Sequence, residues 1–144
     1  MPVVVLDTNV VSELMRARPD EAVVGWVRDQ APADIHTTAF TTAEVRYGLA
    51  RLPRGRRRDS LLAAADEALD AFAARVLPFD RAAADHFGEL VAARERAGTP
   101  IAVLDGQIAA VCRARSAVLA TRNTKDFEGT GVELVDPWRH LTRR

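Results

Sequence analysis

Val3, Val4, Val5 and Leu6 form an uninterrupted, mostly β-branched run that ends at Asp7. Such a run predicts a short strand buried on both faces, as in a parallel sheet. The residues DTNVVSELM that follow predict a helix over 8–15, with Thr8 or Asn9 as its N-cap. Pro19 and Asp20 open a second helix to about Gln30, where Ala22, Val23, Trp26 and Val27 recur at helical spacing, and Pro32 breaks it. DIHTT at 34–38 reads as a second strand. FTTAEVRYGLARL then reads as a helix that starts near Thr41 or Thr42 and carries Glu44 in its first turn. Leu61, Ala65, Leu69 and Phe72 lie on one stripe of a helix expected over 59–75, and VLPF at 76–79 reads as a third strand. Asp80 caps a helix to Ala97, and Asp105 opens the next one. AVLAT at 117–121 and VELV at 132–135 are the fourth and fifth strands. Strands alternating with helices predict an α/β sandwich with a mainly parallel sheet, and no linker or repeat divides residues 1–144 into more than one domain.

Composition narrows the function classes. Of 144 residues, 48% are hydrophobic and 28% charged, which suits a chain that buries a core. Twenty basic residues balance twenty acidic ones, so no global basic field draws in nucleic acid or an anionic membrane, and any such partner must be recognised locally. One cysteine, Cys112, excludes an intramolecular disulfide. The N-terminus has neither the basic start nor the long apolar core of a signal peptide, and no apolar run is long enough for a membrane span. The expected location is the cytoplasm, with no membrane partner. His36, His86 and His140 are scattered without zinc-ligand spacing, and no nucleophilic triad has a local signature. His36, His86 and Cys112 read as satisfied or core residues, and Trp26 and Trp138 as packing residues.

In a parallel sheet, ligands bind outside the carboxyl ends of the strands. Asp7 follows the first strand, Glu44 lies on the helix after the second, Asp105 heads a helix packed on the sheet, and Asp126 lies in the loop after the fourth strand. Each alone reads equally well as a helix or loop cap. Converging, the four would repel one another unless they hold a hard divalent cation such as Mg²⁺ or Mn²⁺, which points to phosphoryl transfer or phosphodiester hydrolysis.

Four blocks carry a more specific resemblance: LDTNVVSELM at 6–15, TTAEVRYGLARLPRGRRR at 41–58, TPIAVLDGQIAAVC at 99–112 and LATRNTKDFEGTGVELVDPW at 119–138. In order and spacing they resemble PIN domain ribonucleases, in particular the VapC-type toxins of bacterial toxin-antitoxin pairs and their FitB-like branch. The resemblance implies a PIN-like three-layer α/β/α sandwich and a Mg²⁺-dependent endoribonuclease, with Mn²⁺ as a substitute. It also implies a homodimer, an RNA substrate, and inhibition by a small cognate antitoxin that binds operator DNA. Asp7, Glu44, Asp105 and Asp126 fall on the family's acidic metal-site positions. Asp7 and Asp105 are then the principal ligands, with Glu44 and Asp126 completing the shell directly or through water. Thr121 and Asn123 are expected to position a water or a phosphate oxygen. Many relatives carry an aspartate where Asn123 stands, so that position adds no charge here.

Two other classes fit parts of the pattern. A haloacid-dehalogenase-like phosphatase also places an aspartate after its first strand, but it needs a second aspartate where Asn9 stands. A non-catalytic nucleic-acid-binding protein would dispense with an acidic ligand, and all four are present. The basic run Arg51, Arg54, Arg56, Arg57 and Arg58 around a Pro-Gly turn is expected to be a solvated interhelical loop, with RNA contact as the alternative.

Overall fold

Every residue of β1 (Val4–Leu6) is buried, and alternation along the strand sends Val4 and Leu6 into one apolar cluster and Val5 into another. This two-sided burial puts β1 at the centre of a sheet. In the computed structural model, which describes residues 2–141, β2 (Ile35–Thr38), β3 (Val76–Leu77), β4 (Val118–Ala120) and β5 (Glu133–Val135) join it in the order β3-β2-β1-β4-β5. Every neighbouring pair is parallel. The chain adds β2 and β3 on one side of β1, then returns past it to add β4 and β5 on the other.

The helices change face with that reversal. α1 (Thr8–Leu14), α2 (Glu21–Arg28), α3 (Ala39–Ala50) and α4 (Arg56–Asp70) contribute Val10, Val23, Trp26, Val45 and Leu69 to the cluster around Val4 and Leu6. α5 (Arg81–Arg96) and α6 (Val103–Ala114) contribute Leu90, Ile108 and Val111 to the cluster around Val5 and Leu119. The result is a three-layer α/β/α sandwich. Its strand order reverses between β1 and β4, and the crevice at such a reversal is where open parallel sheets bind ligands.

Five elements differ in their bounds or caps from the sequence expectation. α1 is capped by Asp7 rather than Thr8 or Asn9: the Asp7 carboxylate accepts the Thr8 N–H at 2.9 Å, so the helix begins as soon as β1 ends. α3 likewise follows β2 without a loop. The Thr38 hydroxyl caps it by accepting the Thr41 N–H, which moves Glu44 from the first turn to the second. α6 starts at Val103 after an Ala102 cap that has no side-chain bond, so Asp105 is its third residue rather than its opening one. α4 spans 56–70 rather than 59–75: it takes Arg56, Arg57 and Arg58 into its first turn, and the chain bends at Ala73, which has a positive φ of 32°. Beyond that bend the Arg75 guanidinium donates to the Ile35 carbonyl at 2.7 Å, fastening the entry to β3 beside β2. β3 itself stops at Leu77, and Phe79 leaves the sheet to meet the rings of Phe40 and Phe87 edge-on.

Packing or local bonding explains Cys112, both tryptophans, His36 and His140, but not the ring of His86. Cys112 is wholly buried in α6, and burial pushes its thiol well above the ordinary range, with the charge of Asp7 adding to the effect. Trp26 is buried against the α1–α4 layer, and Trp138 packs against the same cluster while the Arg122 guanidinium lies over its ring at 5.0 Å. His36 pairs with the Asp34 carbonyl and His140 with Asp29, whereas the buried Nδ1 of His86 has no partner among the described residues.

Candidate active site

The reversal point brings the ends of β1 and β4 side by side, with the Asp7 N–H donating to the Ala120 carbonyl at 2.9 Å. Asp7 is only 6% exposed and has two sets of donors. One oxygen accepts the Thr8 N–H. The other accepts the Thr121 hydroxyl at 2.8 Å and a longer contact from the Asn9 amide at 3.4 Å. The Asn9 amide also donates to Thr121 Oγ1 at 3.2 Å, and its oxygen accepts the Arg122 N–H at 3.1 Å. Thr121 Oγ1 in turn accepts the Asn123 N–H at 3.1 Å. Asp7 is therefore held by residues of α1 and of the segment after β4 together.

Glu44 reaches the same place from α3. The Thr8 hydroxyl donates to its carboxylate at 2.6 Å and lies 3.1 Å from the Thr41 hydroxyl. Asp105 projects from the first turn of α6, where a helix N-terminus favours negative charge but its carboxylate serves as no cap. Asp126 lies on the 3₁₀ turn Thr124–Phe127 after β4 and is exposed. Asn123 precedes that turn and is also exposed; it reaches the centre through its backbone, and Thr121, wholly buried, through its hydroxyl.

Asp7 and Asp105 both sense the charges of the other carboxylates. Burial raises the pKa of Asp7, and the charges of Glu44 and Asp126 raise it further, against the bonds from Thr121 and Thr8 that lower it. Asp105 is pushed up to about 6, first by burial and then by Asp7, Asp126 and Glu44, with the nearby Arg94 guanidinium pulling it down. Negative charge that converges on Asp7 and Asp105 in this way is suited to a cation. Among the described residues, however, no three acidic, imidazole or thiolate groups are gathered tightly enough to enclose a metal ion. Such a donor set suits a small hard cation that keeps several waters and takes one or two carboxylates directly, as Mg²⁺ does, and does not suit a dehydrated protein cage.

Arg94 is a site residue that sequence pattern does not single out. It is 9% exposed on α5, where its guanidinium donates to the carbonyls of Thr99, Asp126 and Glu128. It thereby fastens the turn carrying Asp126 to the connection leading into α6 and Asp105. Its partners are backbone carbonyls brought near only by the fold, so periodicity and motif carry no trace of them. Sequence pattern does not single out Arg122 either, since the stack of its guanidinium on the Trp138 ring joins residues that only the fold brings together.

Comparison with known proteins fits this geometry. Residues 4–132 match the PIN domain. The chain is 43% identical over 136 residues to the VapC ribonuclease Y4jK of Sinorhizobium fredii, covering 94% of this chain and 97% of that protein. It is 37% identical over 136 residues to toxin FitB of Neisseria gonorrhoeae, covering 94% and 98% respectively. Among solved structures, that of FitAB bound to an IR36 DNA fragment superposes with a TM-score of 0.89 at 36% identity, over 99% of each chain. A three-layer fold around an all-parallel sheet, an acidic crevice at its strand reversal and these similarities lead to one assignment: the chain belongs to the PIN domain family.

Proposed function

We propose that this protein is a divalent-metal-dependent endoribonuclease that works as the toxin of a toxin-antitoxin pair. The observation that carries the chemistry is the gathering of carboxylates at the strand reversal, where the charges of Glu44 and Asp126 reach both Asp7 and Asp105 and help to raise their pKa values. Asp7 and Asp105 are the principal metal ligands, with Glu44 and Asp126 acting directly or through water. Mg²⁺, or Mn²⁺ in its place, supplies neutralisation of phosphate charge and acidification of water when bound there. The chain's own residues orient the ligands. Thr121 and the Thr8 N–H aim the two Asp7 oxygens, the Thr8 hydroxyl holds Glu44, and Arg94 holds the turn that carries Asp126. The exposed side of the centre, at Asp126 and Asn123, is where an RNA phosphate enters. No side chain is placed as a covalent nucleophile.

The toxin role rests on the relatives named as a VapC ribonuclease and a FitB toxin, and on the FitAB structure with DNA. A small antitoxin that also binds DNA is the partner proposed here. A homodimer belongs to the same reading and is checked by mass in solution. No helix among the described residues is long and apolar enough to cross a membrane, and the cytoplasm is the proposed location.

The test is cleavage of structured RNAs with Mg²⁺, with Mn²⁺ and with EDTA. Wild type should cut with either metal and stop with EDTA. Asp7→Asn and Asp105→Asn, which remove charge but little volume, should lower cleavage at least 100-fold while the fold survives. Hydrolysis of p-nitrophenyl phosphate with RNA left intact would instead revive the phosphatase alternative.

A further inference from the structure

Beside the acidic centre lies a second, oppositely charged feature. A cavity of about 300 Å³ is lined by Asp126 together with Arg122, Lys125, Asp136 and Arg139. Asp126 belongs to both places, so whatever fills the cavity adjoins the reacting centre. The acids here are already engaged. Asp136 accepts the Trp138 N–H at 2.9 Å and stands 3.6 Å from the Arg139 guanidinium, and Asp126 is assigned to the cation. Among the described residues, Arg122 and Lys125 have no acidic partner within ion-pair distance, and the Arg139 pair is long and exposed on the arginine side, so it exchanges readily. The Arg122 guanidinium rests on the Trp138 ring at 5.0 Å, which fixes the direction of a long side chain that would otherwise sweep through solvent. Its backbone N–H is bound to Asn9, tying it to the residue that also contacts Asp7.

We propose that this pocket holds a phosphate of the RNA strand adjacent to the one cleaved, with Arg122, Lys125 and Arg139 as its cationic contacts. The proposal rests on the nuclease reading and supplies what that reading lacks, a reason for a polyanion to settle against a cluster of carboxylates. A strand crossing the centre meets the metal at one phosphate and the three cations at the next. Recognition of this kind carries no base information, so it sets affinity and register.

The experiment compares wild type with Arg122→Lys, Lys125→Ala and Arg139→Ala on a short oligoribonucleotide that wild type cleaves. Lys125→Ala and Arg139→Ala should each raise KM about 3- to 10-fold with kcat within twofold. Each should also reduce the salt slope of single-strand binding by about 0.7, the value for one lost phosphate contact. Arg122→Lys keeps the charge and loses the planar stack on Trp138, so KM should rise while the slope stays. The triple variant Arg56→Ala, Arg57→Ala, Arg58→Ala strips charge from a different part of the fold and should change neither quantity. Unchanged KM and slope in Lys125→Ala and Arg139→Ala would overturn the pocket and leave the nuclease reading standing. An effect confined to kcat, or an equal loss in the triple variant, would overturn it as well. Normal RNA affinity with weakened binding of an acidic protein partner would reassign the pocket to protein docking. A wild type that cuts no RNA with either metal would sink the nuclease reading, and the subsite with it.

Discussion

Asp7 does one job observed and one proposed with a single carboxylate: it caps α1, and it lies where the charges of Glu44 and Asp126 reach it, so the N-cap role is compatible with the proposed role as ligand. Thr121 makes this tenable, because its hydroxyl donates to the oxygen that the cap does not use. Thr121→Val keeps the shape and removes the donor, leaving the Asp7 carboxylate and the Asn123 N–H each short of a partner. Outer-shell partners of metal ligands are worth about 10- to 100-fold in affinity or activity. The expected result is that loss in Mn²⁺ affinity by calorimetric titration, with Thr121→Ser near wild type; a valine variant that binds Mn²⁺ as wild type does would detach Thr121 from the site. Cys112 is the opposite case, a reactive residue type made inert by its surroundings. Its thiol is buried and pushed up in pKa, so Cys112→Ala should retain full cleavage and lose about 1 kcal/mol of stability in urea unfolding.

At the scale of elements, the site depends on two segments with little packing of their own, the turn Thr124–Phe127 and the connection from α5 to α6. Phe127 anchors the first in the core, and Arg94 ties both together through three carbonyls. Arg94→Met retains the aliphatic stem and strands those acceptors, at a cost of about 3 kcal/mol. It should also push Asp105 further up, because the cation that opposes its repulsion is gone. Chemical denaturation and the NMR titration of the Asp105 carboxyl check the two halves; a variant with wild-type stability would show that the carbonyls find other donors. Glu44 and Asp126 could be picked out from the chain because each comes soon after a strand, and Asp105 because it stands near the start of a helix that packs on the sheet. Their exact turn was not visible: Ala102 gives α6 no side-chain cap to announce its start, and the cap of α3 is a strand residue, Thr38. Arg94 was invisible because its partners lie 5 to 34 residues away along the chain. The arginine run was expected as a solvated interhelical loop; Arg51, Arg54, Arg56 and Arg57 are exposed, but Arg56, Arg57 and Arg58 form the first turn of α4 and Arg58 is half-buried.

For the molecule as a whole, the topology was written into the alternation of apolar runs, since a central strand such as Val4–Leu6 needs helices on both faces and only a strand reversal supplies them. The same reversal concentrates negative charge at one crevice, so the site taxes the fold that builds it. Asp105 has its pKa raised from 3.8 to about 6, which means the folded state holds a proton that the unfolded chain has released across that interval. Stability contributed by this group is therefore present below about pH 4, falls as pH rises to about 6, and is flat above. Asp7 is raised too and acts in the same direction. Because Asp105 is only partly buried, solvent screening leaves on the order of 1 kcal/mol from it. Asp105→Asn should then raise the melting temperature of the metal-free protein at pH 7 by about 3 °C, with no gain at pH 4. A divalent cation should reverse the penalty. At a free concentration near 100 times its dissociation constant it stabilises by about 2.7 kcal/mol, or about 5 to 10 °C for a domain of this size, and that increment should shrink in Asp105→Asn. Differential scanning calorimetry at pH 4 and pH 7, with EDTA and with Mn²⁺, resolves all four conditions. A metal-free variant that melts below wild type at pH 7 and keeps its full Mn²⁺ increment would make Asp105 a structural residue of α6 and move the cation elsewhere.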